Sequence, residues 1–571
     1  MKHVETAVLV VGGGPTGLTA GLLLSRLGIS CRIIERRPGP QRAPAAHVVN
    51  ARTFEIWRQA GVDMQAVLAA AKDPKDAGSV YWVTRLGGEV LGRLPYERQG
   101  DEVLTLTPTP LRNLSQHHLE PLLLASLKRG GTSLGYGHQC EAVQQSDDGV
   151  TARVRDLDAG EVYEVRSRYL IAADGAGSSV RKALGIQTIG PDRIQSFVMI
   201  HFEANLRQLV SECPGVLYWI ADPSCMGTFV AHDIDREWVF MHAWDPDRDS
   251  IERYDTACCE AIVRRAMVDN GVPLTIRTVS PWVMTSQIAE RYRDGRILLA
   301  GDAAHRFPPT GGLGLNTGVQ DAHNLIWKIA AIENGWADPR LLDTYEQERQ
   351  PIARYNAEQS LQNAVRLLEV PQAIGFSDDP AVSQQHFDEM LSDATRRAAV
   401  AAAIEHQAEH FDMLGLQLGY AYEAGALVAD GSAAAVPTNP VRELIPTSRP
   451  GARLPHGWVE HDGRRVSTLD LIALDRFTLL TGPEGAAWGE AVQRMEVPIR
   501  WLRIGAEVAD PEHWWSAVAA MEANGALLVR PDQHVGFRAR QGVGDPRVVL
   551  ERALSAMTQT AVEVGCEAPH G

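Results

Sequence analysis

Apolar and polar positions divide the chain into three kinds of stretch. The first is the unbroken apolar run. Val8-Leu9-Val10-Val11 has no polar break, the pattern of a strand buried on both faces of a parallel sheet. It stops at Gly12-Gly13-Gly14, and Leu18 to Leu27 follows with helical character. A second strand, Cys31-Arg32-Ile33-Ile34, closes on Glu35. Two later runs repeat the theme: Tyr169 to Ala173 ends in Asp174-Gly175, and Ile297 to Ala300 ends in Gly301-Asp302. A loop rich in Pro and Gly follows the last of these, and then a predicted helix from about Val319 to Ile332. The second kind of stretch alternates. Trp238-Val239-Phe240-Met241-His242 has period two, and residues 186–284 read as half-buried sheet with many aromatics. Residues 76–104 read as a strand pair around Gly87-Gly88, and alternating strands are predicted between about 134 and 170. The third kind is helical. A helix opens at residues 113–120 with Ser115 as its expected N-cap, and residues 339–430 read as helical. Residues 431–452, rich in Pro, Thr, Ser and Arg, read as a linker. A compact αβ pattern then returns, with strands expected at 476–480, 499–504 and 525–532.

Length and charge narrow the classes. A chain of 571 residues is too long for one core, and roughly two to four domains are expected. The net charge of −16 argues against a nucleic-acid partner. No apolar run of spanning length and no signal-peptide flanks appear, so no membrane partner and a cytoplasmic location are expected. The seven cysteines have neither CxxC nor metal-ligand spacing, so free thiols and no metal are expected.

The first turn carries the chemistry. Gly12-x-Gly14-x-x-Gly17, with Pro15 and Thr16 inside it, has the dinucleotide-binding spacing. Gly12 serves the tight turn, Gly14 lets a pyrophosphate approach, and Gly17 lets helix and strand pack closely. Glu35 stands near the spacing at which an acid holds a ribose hydroxyl. With Asp174-Gly175 and Gly301-Asp302, three phosphate- or ribose-facing strand ends point past NAD to a buried FAD.

On those motifs, and on GDAAHRFPPTGGLGLNTGVQDAHNL at 301–325, the chain resembles the class A flavoprotein monooxygenases, the single-component aromatic hydroxylases. Length and the C-terminal αβ pattern are similar to the phenol hydroxylase and 3-(3-hydroxyphenyl)propionate hydroxylase branch, whose architecture tetracycline- and anthracycline-tailoring hydroxylases share. The resemblance implies an α/β fold with a Rossmann-like, p-hydroxybenzoate hydroxylase-like FAD-binding domain from 1–75, 105–185 and 285–360. A substrate-binding β-sheet domain from 76–104 and 186–284 would interleave with it, a helical connection would span 361–430, and a thioredoxin-like domain without CxxC would occupy 451–560.

It also implies roles. Gly12, Gly14 and Gly17 would lie on the FAD pyrophosphate and Glu35 on the adenosine ribose; Arg36, Arg42 and Gln116 would be further contacts. Asp174 would serve FAD and the nicotinamide cofactor, and Asp302 the ribityl chain. The backbone of Pro309 and of the loop Gly312, Leu313, Gly314, Leu315 and Asn316 would border the flavin ring. Ahead of the family's Arg-Thr-x-Glu segment (Arg52, Thr53 and Glu55), phenol hydroxylase places an aspartate tied to phenol deprotonation; this chain has His47, a base or hydrogen-bond partner. Tyr218, His232 and His242, with His201 and Trp244, are candidate substrate-wall residues.

The implied activity is ortho or para hydroxylation of a phenol with O₂, through a C4a-hydroperoxyflavin. NADH or NADPH would dock transiently, since no second GxGxxG is present, and a homodimer is expected. The same fold performing epoxidation or Baeyer–Villiger insertion, and an FAD dehydrogenase or reductase, are the alternatives.

Overall fold

The computed structural model describes residues 3–560. Cys566 therefore lies outside the described residues, and the other six cysteines are free thiols. Three sheets position the site. The first is built on the strand His3–Val11, flanked in parallel by Val162–Ala172 and Cys31–Glu35. Ile297–Leu299 and Ser133–Tyr136 extend the parallel order on either side. Val8, Leu9 and Val10 are fully buried, as an unbroken apolar run between two parallel neighbours requires. The helix Pro15–Arg26 approaches so closely that a Cβ on Gly21 would fall 2.4 Å from Ile33 Cδ1. Because three adjacent strands run parallel, Gly12, Asp174 and Asp302 emerge along one sheet edge, where α/β folds bind ligands.

The second sheet has seven strands, in the order 275–284, 195–203, 237–244, 227–233, 217–220, 79–83 and 90–95. Ser79–Val83 pairs in parallel with Leu217–Ile220, which brings two distant stretches of chain into one sheet. Its faces differ. Ile200, Phe202, Tyr218, Phe229 and Phe240 are fully buried on one face, packed with Cys259 and Val263 of the helix Thr256–Arg265. Met199, His201, Trp219 and Met241, one residue out of step, are half-buried on the other.

The third sheet, in the order 499–503, 477–481, 526–529 and 535–539, forms the C-terminal module. Between them, Asp343–Leu418 is helical apart from short joints, and residues 431–451 hold no helix or strand. The long helix Leu313–Glu333 is buried almost throughout, because it lies between the first sheet and this module, where Trp327 packs with Phe477 and Leu528.

Buried charges fasten the module. Glu55 accepts from Arg453 at 2.6 and 2.8 Å, from Arg52 at 3.0 Å and from the Thr107 hydroxyl at 2.7 Å. Glu348 accepts from Arg530 at 2.8 Å and from Lys328 at 2.7 Å, and Arg530 also pairs with Asp532. Burial pushes both glutamates up, but their cations outweigh it and hold each at about 2. Among the described residues no helix is long and apolar enough to cross a membrane.

Candidate active site

The three fingerprint glycines do three different things. Gly12 takes φ 114°, and a Cβ there would lie 2.1 Å from the Ala173 carbonyl oxygen. A Cβ on Gly17 would lie 2.0 Å from the Gly12 oxygen. A Cβ on Gly14 would meet nothing within 4 Å. Gly12 and Gly17 are thus required by the protein's own packing, whereas Gly14 borders open space. Gly14 is also the N-cap of Pro15–Arg26 and supplies no side-chain cap, and no acidic residue stands in that helix's first turn. The helix Leu313–Glu333 begins the same way, on Gly312 with φ 62°, and Gly314 in its first turn also faces open space. Several other helices are capped by side chains, among them Asn50, Asp255, Asp379, Asp393 and Asp545. Two bare N-termini therefore offer N–H groups and positive dipole ends to one crevice, suited to a pyrophosphate and to the polar edge of a flavin. Thr16 is wedged at the junction: its hydroxyl would lie 2.6 Å from a Cβ on Gly301 and 2.3 Å from one on Gly318.

Glu35 is buried and accepts from the Gly13 N–H at 2.7 Å and the Arg37 N–H at 2.9 Å. Arg37, which sequence reasoning passed over, ion-pairs with Glu35 at 3.2 Å and Glu120 at 3.4 Å. Arg36 and Arg42 are exposed and make no side-chain bond to a described residue. Gln116 donates to Glu120 at 2.8 Å. Asp174 accepts from the Ser178 hydroxyl at 2.5 Å and the Ser179 N–H at 2.8 Å, at the start of the helix Ser179–Ala183 whose N-cap is Ser178. Asp302 faces open space, yet the surrounding protein raises its carboxyl, against the pull of His305 and Arg306. Asp302 and the bare helix ends fit the ribityl and pyrophosphate parts of FAD, and Gly14 and Gly314 leave the room a Cβ would take.

Asn316 ties the glycine loop to the segment that follows His47. Its Oδ1 accepts from the Asn50 N–H at 3.0 Å and the Thr53 hydroxyl at 2.8 Å, while its Nδ2 donates to Val48 O at 3.0 Å and Gly312 O at 2.7 Å. Only its backbone remains for a ligand. Leu313 packs its side chain on Met413 and Leu416, Leu315 is half-buried, and Pro309 is exposed. His47 sits half-exposed beside this loop, its Nδ1 3.0 Å from Asn113 Oδ1. An amide oxygen accepts only, so Nδ1 carries the proton and Nε2 keeps the lone pair. Burial lowers His47, against the Asn113 bond, and keeps it neutral at pH 7.

His232 is 5.4 Å from His47 between ring centroids. It is the unpaired residue of a β-bulge between Ala231 and Asp233, on the face opposite Phe229 and Ala231. Burial and three neighbouring histidines push it well down. Tyr218 and His242 depart from the expectation. Alternation sets both on the face covered by the helix Thr256–Arg265, where Tyr218 donates to the Cys213 carbonyl at 2.9 Å and His242 packs near Tyr254, as does Trp244. Ser115 stands at the N-cap position, but its hydroxyl is drawn to His117 Nδ1 at 2.9 Å and caps nothing. His117, His118 and His201 surround Glu237; burial raises its carboxyl, but the histidines outweigh it and hold it well below the usual range. No spacing could have announced this group, because its members come from a helix and two strands of another sheet.

A dinucleotide turn, a second bare helix end and a glycine loop on one crevice define an FAD-binding flavoprotein. The FAD binding domain family matches residues 5–360, and the aromatic-ring hydroxylase C-terminal family matches residues 447–561. The chain belongs to the FAD-dependent aromatic-ring hydroxylases, with a mixed α/β fold. It is 33% identical to 2,4-dichlorophenol 6-monooxygenase of Delftia acidovorans, over 97% of this chain and 98% of that one. It is 35% identical to tetracenomycin A2 monooxygenase-dioxygenase of Streptomyces glaucescens, over 98% and 99%. The flavin-dependent monooxygenase PieE, solved with FAD and substrate, superposes with a TM-score of 0.92 at 37% identity, covering 98% of this chain and all of that one.

Proposed function

We propose that this enzyme is an NAD(P)H-dependent monooxygenase that hydroxylates a phenolic ring ortho or para to its oxygen. The reading rests on His47: beside the glycine loop, Asn113 holds the proton of a neutral imidazole on Nδ1 and leaves Nε2 free to accept one. Bound FAD supplies the redox chemistry between NAD(P)H, O₂ and substrate. Gly14 and the Pro15–Arg26 helix end hold its pyrophosphate, Glu35 the ribose hydroxyls, and Asp302 the ribityl chain. The backbone from Gly312 to Asn316 borders its ring. His47 Nε2 takes the phenol proton, which raises electron density at the ortho and para carbons that receive oxygen. One oxygen atom enters the ring and the other leaves as water, with two electrons from NAD(P)H. His232 lies beside His47 and bounds the substrate side.

The test is NADH and NADPH oxidation by the FAD-loaded protein with a panel of phenols, with labelled O₂ followed into the product. His47→Gln is expected to lose about 10²–10⁴-fold in turnover with ordinary phenols. The loss should shrink for nitrophenols, which arrive already ionised. An equal loss for both kinds would remove the base role, and flavin reduction without oxygen incorporation would favour a dehydrogenase.

A further inference from the structure

Outside the crevice, the one group of three side chains among the described residues arranged to hold a metal ion is His117, His118 and Glu237. We infer that these three residues form a site for a divalent transition-metal ion of the zinc class, joining the helix Gln116–Arg129 to the strand Glu237–Trp244.

The separations are short enough for the three atoms to share one ion. His117 Nε2 lies 2.9 Å and His118 Nε2 3.5 Å from the same oxygen, Glu237 Oε2, and all three atoms lie within 4.8 Å of one another. Ligand atoms on tetrahedral zinc, with bonds near 2.0–2.1 Å, stand about 3.3 Å apart.

A second observation points to a ligand independently. His117 has a side chain only 8% exposed, and its Nε2 has no hydrogen-bond partner, although Glu237 is close; the contact is not aligned as a hydrogen bond. Its Nδ1 is 2.9 Å from the Ser115 hydroxyl, which can accept an Nδ1 proton and so leave the Nε2 lone pair to a metal ion. That is how a second partner prepares a metal-binding histidine. His201 Nε2 lies 3.3 Å from the other carboxylate oxygen, outside the three-ligand group. Two imidazoles 3.8 Å apart between centroids repel if both are protonated, and a metal takes both neutral. His118, 49% exposed, keeps one side open for a water as fourth ligand. Two imidazoles and one carboxylate select zinc, nickel or copper over magnesium or calcium.

The experiment uses the FAD-loaded full-length protein, stripped with chelator and then dialysed against Zn²⁺, Co²⁺ or Mg²⁺, with bound metal measured by elemental analysis. One Zn²⁺ per chain is expected, with the visible bands of four-coordinate Co²⁺, a metal-dependent rise in thermal midpoint, and no Mg²⁺ uptake. His118→Ala, at a half-exposed position, and Glu237→Gln should each weaken Zn²⁺ binding at least tenfold and abolish the rise, while His242→Asn keeps both. Retained flavin content reports that each variant folds. No stoichiometric Zn²⁺ on the wild-type protein would overturn the site, as would binding that survives both substitutions; the cluster would then be a hydrogen-bonded charge group only.

Discussion

Gly14 and Gly17, three residues apart, resist substitution for opposite reasons. A methyl on Gly17 collides with the backbone of Gly12, while one on Gly14 enters empty space. Gly17→Ala should therefore lower the thermal midpoint of the flavin-free protein. Gly14→Ala should leave that midpoint nearly unchanged and weaken FAD binding at least tenfold, read by quenching of flavin fluorescence. Glu97 makes a second case. It is buried with φ 54°, and its carboxylate accepts from the Met413 N–H at 3.2 Å. Burial pushes it up to about 8 from an ordinary 4.5. Below about pH 4.5 both folded and unfolded chains hold its proton. Between there and pH 8 only the folded chain does, so its stabilisation is lost as pH rises, by on the order of a few kcal/mol. Glu97→Gln mimics the protonated form, and its thermal midpoint should fall less than the wild type's between pH 5 and 8.

At the scale of elements, the segment around His47 and the start of the helix Leu313–Glu333 are held as one unit by the side chain of Asn316. Asn316→Ala removes four buried hydrogen bonds and should cost about 3 kcal/mol in denaturant unfolding, with a matching loss of FAD affinity. The sequence shows the elements better than the contacts between them. The strands ending at Gly12, Asp174 and Asp302 were legible because unbroken apolar runs and Gly or Asp-Gly punctuation are local signals. The helix begins at Leu313 rather than near Val319, because Gly312 in the left-handed region starts it within a glycine-rich run that reads as loop. The pairing of Arg37, and not of Arg36, with Glu35 and Glu120 depends on how the chain turns after the strand, which composition does not encode. His232 was named as a candidate from its residue type; its place beside His47 depends on how that face of the sheet packs against the segment around His47. Tyr218 and His242 needed only the parity of the alternation, set by which face the helix Thr256–Arg265 covers.

At the scale of the molecule, the C-terminal module is held to the rest by paired buried charges. Removing one partner leaves the other buried and unpaired, which costs far more than the pair contributes. Arg453→Ala should destabilise the whole chain by about 3–5 kcal/mol, in a single transition, and Arg453→Ala combined with Glu55→Gln should recover part of the loss. Two separate transitions for Arg453→Ala would mean the module folds independently. The same network sets a timetable for biosynthesis. Arg52 donates to Gln533, 481 residues later. At about 5–20 residues per second, a ribosome needs roughly half a minute to a minute and a half to deliver that partner. For that interval Arg52 and Glu55 lack their C-terminal neighbours. Until then the two buried charges have only each other and Thr107, so docking of the C-terminal module is a late step in folding.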